Sequence, residues 1–284
     1  MASERDIKRR IKTVRNTQQI TKAMKMVASA RIKKADDRLK AARPYSAKLQ
    51  EIMQVLVDSM DEVLHPLMDR RPVKRVGILV VTSDKGLCGA YNNNLLKQVW
   101  SYVGTRDPRN YELIVVGGKG DKFFRRRKVV PHASHTGWSP DFHLAQSISD
   151  EVTDWFASGR VDEFVCFYTQ SVSAATQKPA QETLLPIAPA KGEGASVSFE
   201  FEPSPEQALN ILLPRYIRNT LYRILLESRV SELGARLKSM SNATDNANKL
   251  AGELTLDYYR IRQNSITNEI LEISGGAEAL RASG

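Results

Sequence analysis

SELGARLKSMSNATDNANKLAGELTLDYYRIRQNSITNEILEISGGAEAL, residues 231–280, decides how this chain folds. Apolar or small residues return every three or four positions, at Leu233, Leu237, Met240, Thr244, Ala247, Ala251, Leu254, Tyr258 and Ile261. That spacing is the seam of a coiled coil. The phase then slips by one, to Ile266, Ile270, Ile273, Ala277 and Leu280, so the stripe drifts round the helix. No proline follows Pro214, and a helix interior cannot easily hold one. At the other end Ser204 can cap the first turn, with Pro205 at the first helical position. The spacing therefore predicts one helix of roughly 75 residues, about 110 Å long at ~1.5 Å per residue. A helix that overruns a compact domain needs a partner to lie against.

The beginning of the chain supplies one. Steps of four and three from Ile7 pass through Ile11, Val14, Gln18, Thr21, Lys25, Ala28, Ile32, Ala35, Leu39, Ala42, Ser46, Leu49, Met53, Leu56, Met60 and Val63. Pro44 interrupts this helix without breaking the register, which predicts a kink. Seams at both ends of one chain predict an intramolecular antiparallel coiled coil of residues 1–64 and 205–284, with residues 73–203 inserted as a separate domain. Two ordinary amphipathic helices packed on that middle domain are the alternative. Small and polar residues thin both seams midway: Gln18, Thr21, Lys25 and Ala28 on one, Ser241, Ala243, Thr244 and Ala247 on the other. A fully buried leucine contributes about 1.5–3 kcal/mol and alanine much less. The pair is expected to be held at its ends and slim between them.

The middle stretch changes period. Residues 76–81 are a continuous apolar strand, 111–116 a second buried strand and 161–168 a third, and 183–187 is a further candidate strand. Helices are predicted near 93–103, around Phe123 and Phe124, and over 147–157. Strands alternating with helices predict an open, largely parallel, Rossmann-like α/β sheet covered on both faces. Residues 189–205 read as a loop or edge hairpin leading into the long helix.

The net charge of +10 is unevenly spread. Residues 1–43 hold fourteen Lys and Arg against four Asp and Glu, so the basic excess is one helix. Such a helix suits nucleic acid, a membrane surface or an acidic protein partner. No aromatic residue occurs in that stretch, which weakens the first two. Two isolated cysteines, Cys88 and Cys166, make neither a disulfide framework nor a zinc site. No apolar run approaches the ~20 residues of a membrane span, and no signal-peptide core is present at the start.

Two Gly-rich loops follow strands, at residues 82–89 and 117–120. The second resembles part of a phosphate loop, but no Ser or Thr follows Lys119 and the GxxxxGK[ST] spacing is missing. Both are read as tight strand-to-helix turns. His132, His135 and His143, with Asp141 nearby, match no standard metal-ligand spacing. No nucleophile elbow or kinase set is present. No catalytic residue, cofactor or metal is expected.

At this point specific stretches can be matched. Asp6-Ile7-Lys8-Arg9-Arg10-Ile11 and residues 16–28, then Thr82-Ser83-Asp84-Lys85-Gly86-Leu87-Cys88-Gly89, then residues 243–247, then Ile266-Thr267-Asn268-Glu269-Ile270-Leu271-Glu272-Ile273-Ser274-Gly275-Gly276-Ala277 resemble the gamma subunits of F-type ATP synthases of bacterial type. The resemblance is most specific at the two ends. Lys85 departs from an expected arginine, and Leu233-Gly234 departs from the pair usual after Ser-Glu. The cysteine-bearing insertion of the chloroplast form is absent.

The resemblance implies a non-catalytic rotor shaft standing inside a ring of three alpha and three beta subunits. The epsilon subunit would dock on the α/β domain and a c-subunit ring would join below, with no nucleic acid bound. It implies a peripheral location on the cytoplasmic face of a bacterial plasma membrane, held through the c ring. It implies beta-subunit contacts at Met24, Lys25, Arg236, Arg262, Gln263, Thr267 and Glu269. An apical bearing would comprise Ile266, Ile270, Ile273, Ala277 and Leu280, where the tip extends past its partner by roughly 15–20 Å. The foot on the c ring would include Phe201 and Glu202. The competing reading is a coiled-coil adaptor whose basic helix binds nucleic acid.

Overall fold

The computed structural model describes residues 3–58, 65–172, 176–187 and 204–282, the last five in backbone only. Two long helices bracket an α/β sheet. Helix α1 is Glu4–Asp58, continuous through Pro44. Helix α5 is Pro205–Ala282, 78 residues. Ser204 Oγ accepts from Gln207 N at 3.3 Å and so caps it. Contacts divide the molecule into two units, residues 28–236 and residues 1–27 with 237–284.

Residues 28–236 hold the sheet. Its strands are β1 (Val76–Val81), β2 (Tyr111–Val116), β3 (Ala133–His135), β4 (Glu163–Ser171) and β5 (Gln177–Leu185), in the order β3-β2-β1-β4-β5. The first four run parallel and β5 is antiparallel to β4. Every residue of β1 is buried, as expected for a strand covered on both faces. One face packs Ile78, Val80, Leu113 and Val115 against α2 (Tyr91–Val103) and Phe124 of α3 (Gly118–Arg125). The other packs Leu79, Ile114, Phe164 and Cys166 against α4 (Phe142–Ala157) and the buried face of α5 from Leu209 to Leu225. Farther along, Ala35 and Leu39 of α1 meet Leu226, Val230 and Leu233 of α5. Asn219 Nδ2 donates to Ser46 Oγ at 2.8 Å across the same pair.

Four readings are corrected here. Residues 133–135, for which no strand is predicted, form the edge strand β3; three residues with no alternation give no strand signal. Strand β5 covers 177–185 instead of 183–187, because its half-exposed polar positions and Pro179 mask it as edge strands do. Helix α2 starts at Tyr91, two residues early, where the Asn92 side chain accepts from Ser83 N at 3.0 Å. Helix α4 starts at Phe142, capped by Asp141, whose carboxylate accepts from Leu144 N at 2.8 Å. The reading of residues 189–203 lies outside the described residues.

In the second unit α1 and α5 run antiparallel, as three side-chain pairs at descending positions require. Glu4 accepts from Tyr258 Oη at 3.0 Å, Gln18 donates to Asn248 at 2.5 Å, and Thr244 donates to Thr21 Oγ1 at 2.9 Å. Every expected seam position among the described side chains of α1 is buried or half-buried, from Ile7 to Leu56. The same holds from Leu233 to Ile261 on α5. Beyond Ile261 every described side chain is exposed through Ala277.

Candidate functional site

Within residues 28–236, the first turns of helices at the carboxyl ends of β1 and β2 are where an α/β sheet would hold an anion. At the second Gly-rich loop the protein supplies its own. Asp84 Oδ1 accepts from Gly118 N and Gly137 N, each at 2.9 Å, and Oδ2 accepts from Trp138 N at 3.1 Å. Trp138 Nε1 donates to Thr82 O at 3.0 Å and closes the site from above. Gly120 sits against Thr82, where an added Cβ would lie 2.9 Å from Oγ1, and Gly117 takes φ 100° over the same residue. A carboxylate at the start of α3 stabilises the amides there as a phosphate would. This loop is a satisfied turn.

Helix α5 reaches the first Gly-rich loop through Arg236. Its Nη1 pairs with Glu232 at 2.6 Å and its Nη2 donates to the carbonyls of Lys85 and Gly86 at 3.3 Å. Glu232 also pairs with Arg229 at 2.7 Å, and its side chain is only 2% exposed. Two guanidinium partners offset the cost of burying that carboxylate. One turn earlier, Tyr91 Oη donates to the Ser228 carbonyl at 3.1 Å, and burial pushes its pKa well above the ordinary phenol. Sequence reading named Arg236 but missed Glu232 and Asp84. Glu232 was discoverable, since Arg229 and Arg236 stand at i−3 and i+4 from it.

A second charged cluster lies between α5 and the β4–β5 edge. Arg223 pairs with Glu182 at 2.5 Å and with Glu227 at 3.3 Å, and Tyr168 Oη donates to Glu182 at 2.8 Å. Burial raises the Glu227 pKa, against the opposing pull of Arg223. Burial likewise drives the Cys166 thiol pKa far up, leaving a protonated, unreactive group.

The histidines are placed individually. His132 stands edge-on to Trp155 with ring centroids 4.8 Å apart, and its Nδ1 lies 3.0 Å from Arg160. His135 is on β3 and His143 on α4. Among the described residues no three His, Cys, Asp or Glu side chains converge as a metal site.

The other unit carries the remaining expected contact residues. Met24 and Lys25 are half-buried on α1, flanked by exposed Ile20, Met26 and Val27. Arg262, Gln263, Thr267 and Glu269 are exposed on α5, and Thr267 Oγ1 donates back to Gln263 O at 2.9 Å. Ile266, Ile270 and Ile273 are 44%, 61% and 72% exposed. Ala277 is also exposed, while Gly275 and Gly276 have no neighbouring atom within 4 Å of an added Cβ. The side chain of Leu280, together with Phe201 and Glu202, lies outside the described residues.

A family described as ATP synthase matches residues 3–280. The ATP synthase gamma chain of Heliobacterium modesticaldum is 45% identical, over 99% of this chain and 100% of the relative. The chain belongs to the ATP synthase gamma chain family. The gamma chain of Desulfitobacterium hafniense is also 45% identical, with the same coverage of both chains. A chain in the Euglena gracilis mitochondrial ATP synthase structure has the same fold. The TM-score is 0.72 at 18% identity, over 99% of this chain and 95% of that one. A chain of the Tetrahymena thermophila central stalk and c ring superposes with TM-score 0.60 at 24% identity, over 79% of this chain and 99% of that one. Membership makes the chain a non-catalytic subunit of that enzyme, and it leaves the nucleic-acid adaptor without support.

Proposed function

We propose that this chain is the central rotor shaft of a bacterial F-type ATP synthase, coupling ion flow through a membrane c ring to conformational cycling of the catalytic beta subunits. The observation that carries the reading is gamma-family similarity over the whole chain, at 45% identity to relatives covered from end to end. Its partners are three alpha and three beta subunits, the epsilon subunit and the c ring. The coupling is a differential affinity: each shaft orientation binds one set of beta-subunit states best, and turning the shaft shifts the populations. The shaft makes and breaks no covalent bond. It is peripheral to the cytoplasmic face of the plasma membrane, held through the c ring; among the described residues no helix is long and apolar enough to cross a bilayer.

In this reading residues 1–64 and 205–284 form the shaft and 73–203 the domain beside which epsilon docks. Met24 and Lys25 meet an acidic loop of beta, and Arg262, Gln263, Thr267 and Glu269 make the contact nearer the tip; Arg236, expected beside the first pair, has its guanidinium held by Glu232 and the carbonyls of residues 85 and 86. Exposed charge pairs contribute about 0–1 kcal/mol each, which suits contacts that form and release on every turn. Ile266, Ile270, Ile273, Ala277 and Leu280 are the bearing: exposed isoleucines at helical spacing need an apolar sleeve. Phe201 and Glu202 contribute to the c-ring foot.

The test is purification of a tagged chain from its native membranes. Alpha, beta, epsilon and c subunits should co-purify with ATPase activity, while the tagged chain alone hydrolyses no ATP. Changing the five bearing residues to serine should lower proton pumping per ATP hydrolysed. Recovery of nucleic acid in place of the subunits would overturn the rotor reading, and unchanged pumping would overturn the bearing.

A further inference from the structure

Lys119, Lys122 and Arg126 stand at i, i+3 and i+7 at α3, at the spacing of one helix face. They line a cavity of about 310 Å³ whose other wall is residues 86–89 and the first turn of α2. Lys119 lies over the loop: a methyl built on Gly86 would meet its Nζ at 3.5 Å. The nearby carboxylates are committed elsewhere. Asp84 accepts three amides, and Asp121 holds Arg125 at 2.8 Å and Ser134 at 2.7 Å. Among the described residues none of the three cations forms an ion pair. A fourth lining cation, Arg127, is already spent on the Phe123 ring, 3.7 Å below it.

The loop backbone adds donors, and three of its carbonyls are already engaged. Arg236 occupies the carbonyls of Lys85 and Gly86, and the Cys88 carbonyl accepts from Tyr91 N. The amides of Leu87, Cys88 and Gly89 donate to no acceptor among the described residues. Leu87 and Gly89 both take left-handed backbone, at φ 64° and 58°. Like charges gathered round a concavity repel unless an anion lies between them.

We propose that this cavity binds a phosphate group, as inorganic phosphate, pyrophosphate or the phosphate tail of a nucleotide. Lys119, Lys122 and Arg126 supply charge-assisted hydrogen bonds and the loop amides complete the cradle. The space suits one or two phosphate groups, with any sugar and base standing outside. The neighbouring cradle at the start of α3 shows the same chemistry, with the Asp84 carboxylate as a built-in anion.

The experiment is calorimetric titration of the full chain with inorganic phosphate, pyrophosphate and ADP at fixed ionic strength. One site is expected, with pyrophosphate tighter than phosphate and ADP no tighter than pyrophosphate. Lys119→Ala/Lys122→Ala/Arg126→Ala should weaken pyrophosphate at least about tenfold, the loss expected of one charge-assisted hydrogen bond. Arg31→Ala/Lys33→Ala/Lys34→Ala, removing equal charge from α1, should not. Gly86→Asp keeps every cation but hangs a carboxylate beside Lys119, in ordinary space for a side chain, and should compete with pyrophosphate to a similar degree. Equal loss in both triple variants would mean a general charge effect and overturn the site. So would undiminished binding in Gly86→Asp, or ADP binding tenfold tighter than pyrophosphate, which would place recognition on the base.

Discussion

Within residues 28–236, α1 and α5 meet through Ala35, Leu39, Leu226, Val230 and Leu233, all buried. Within residues 1–27 and 237–284 the buried apolar residues among those described are only Ile7, Met240 and Ala247, and the same two helices are joined by a threonine pair, a glutamine–asparagine bond and a tyrosine–glutamate bond. A buried leucine is worth about 1.5–3 kcal/mol, whereas a hydrogen bond nets about 0.5–1.5 kcal/mol because the unfolded chain bonds to water instead. One heptad pattern thus yields a strongly held seam and a lightly held, slim one. For a shaft the difference is functional: the stretch that shares a core with the α/β domain is fixed to it, and the stretch near the chain ends is free to be thin.

That comparison can be broken by mutation. The largest effect is expected at Leu226, fully buried in the aliphatic seam. Leu226→Ala should cost about 2–5 kcal/mol, transfer and cavity together, in denaturant unfolding of the full chain. Ile270→Ala, at a residue 61% exposed, should stay within about 0.5 kcal/mol in the free chain. Similar costs at the two positions would erase the distinction between seam and bare tip.

The polar seam predicts a different signature. Thr21 and Thr244 are buried and hydrogen-bonded to each other. Thr21→Val alone should cost about 0.5–1.5 kcal/mol, the net worth of the one hydrogen bond lost, because the Thr244 hydroxyl keeps the Met240 carbonyl as acceptor at 2.8 Å. The double change to valine should cost little more than the single one, since the shared hydrogen bond can be lost only once. Additive costs in this double-mutant cycle would mean that the hydroxyl pair is not a unit.

A pH-dependent effect concerns Glu227. Its pKa is raised in the folded state, chiefly by burial, so the folded chain holds that proton more tightly than the unfolded one. The stability this group contributes is greatest below the ordinary glutamate value of 4.5. It declines as pH rises through the folded pKa and is level above it. Glu227→Gln should flatten that decline and leave the chain slightly more stable at neutral pH, by about 1 kcal/mol or less. Unfolding midpoints from pH 4 to pH 8 (about that range, bracketing the ordinary and raised values) would check it; an unchanged slope would show that the group titrates normally.

How much could be read beforehand follows from which forces act locally. The α1 seam was legible position by position because a period of three and four records which face is buried. Strand β1 was legible because a strand covered on both faces must be apolar throughout, and β2 through its buried run from Leu113 to Val116. Strand β3 and the start of β5 were not, since edge strands take their partners from elsewhere in the chain. Among the site residues, Arg236 could be named but not its engagement: Glu232 and the carbonyls of residues 85 and 86 occupy the guanidinium, and sequence alone offers it as a free surface charge.

Periodicity, proline placement and capping determined by themselves that two long helices bracket an α/β sheet, because those signals act within a few residues of one another. Tertiary structure alone decided which Gly-rich loop is closed. Asp84 is 34 residues from Gly118 and 54 from Trp138 along the chain, and only the folding of β1 beside β2 brings its carboxylate to their amides. The same folding leaves the cations of α3 facing a loop with unspent donors, since burial and pairing depend on neighbours in space that no local pattern encodes.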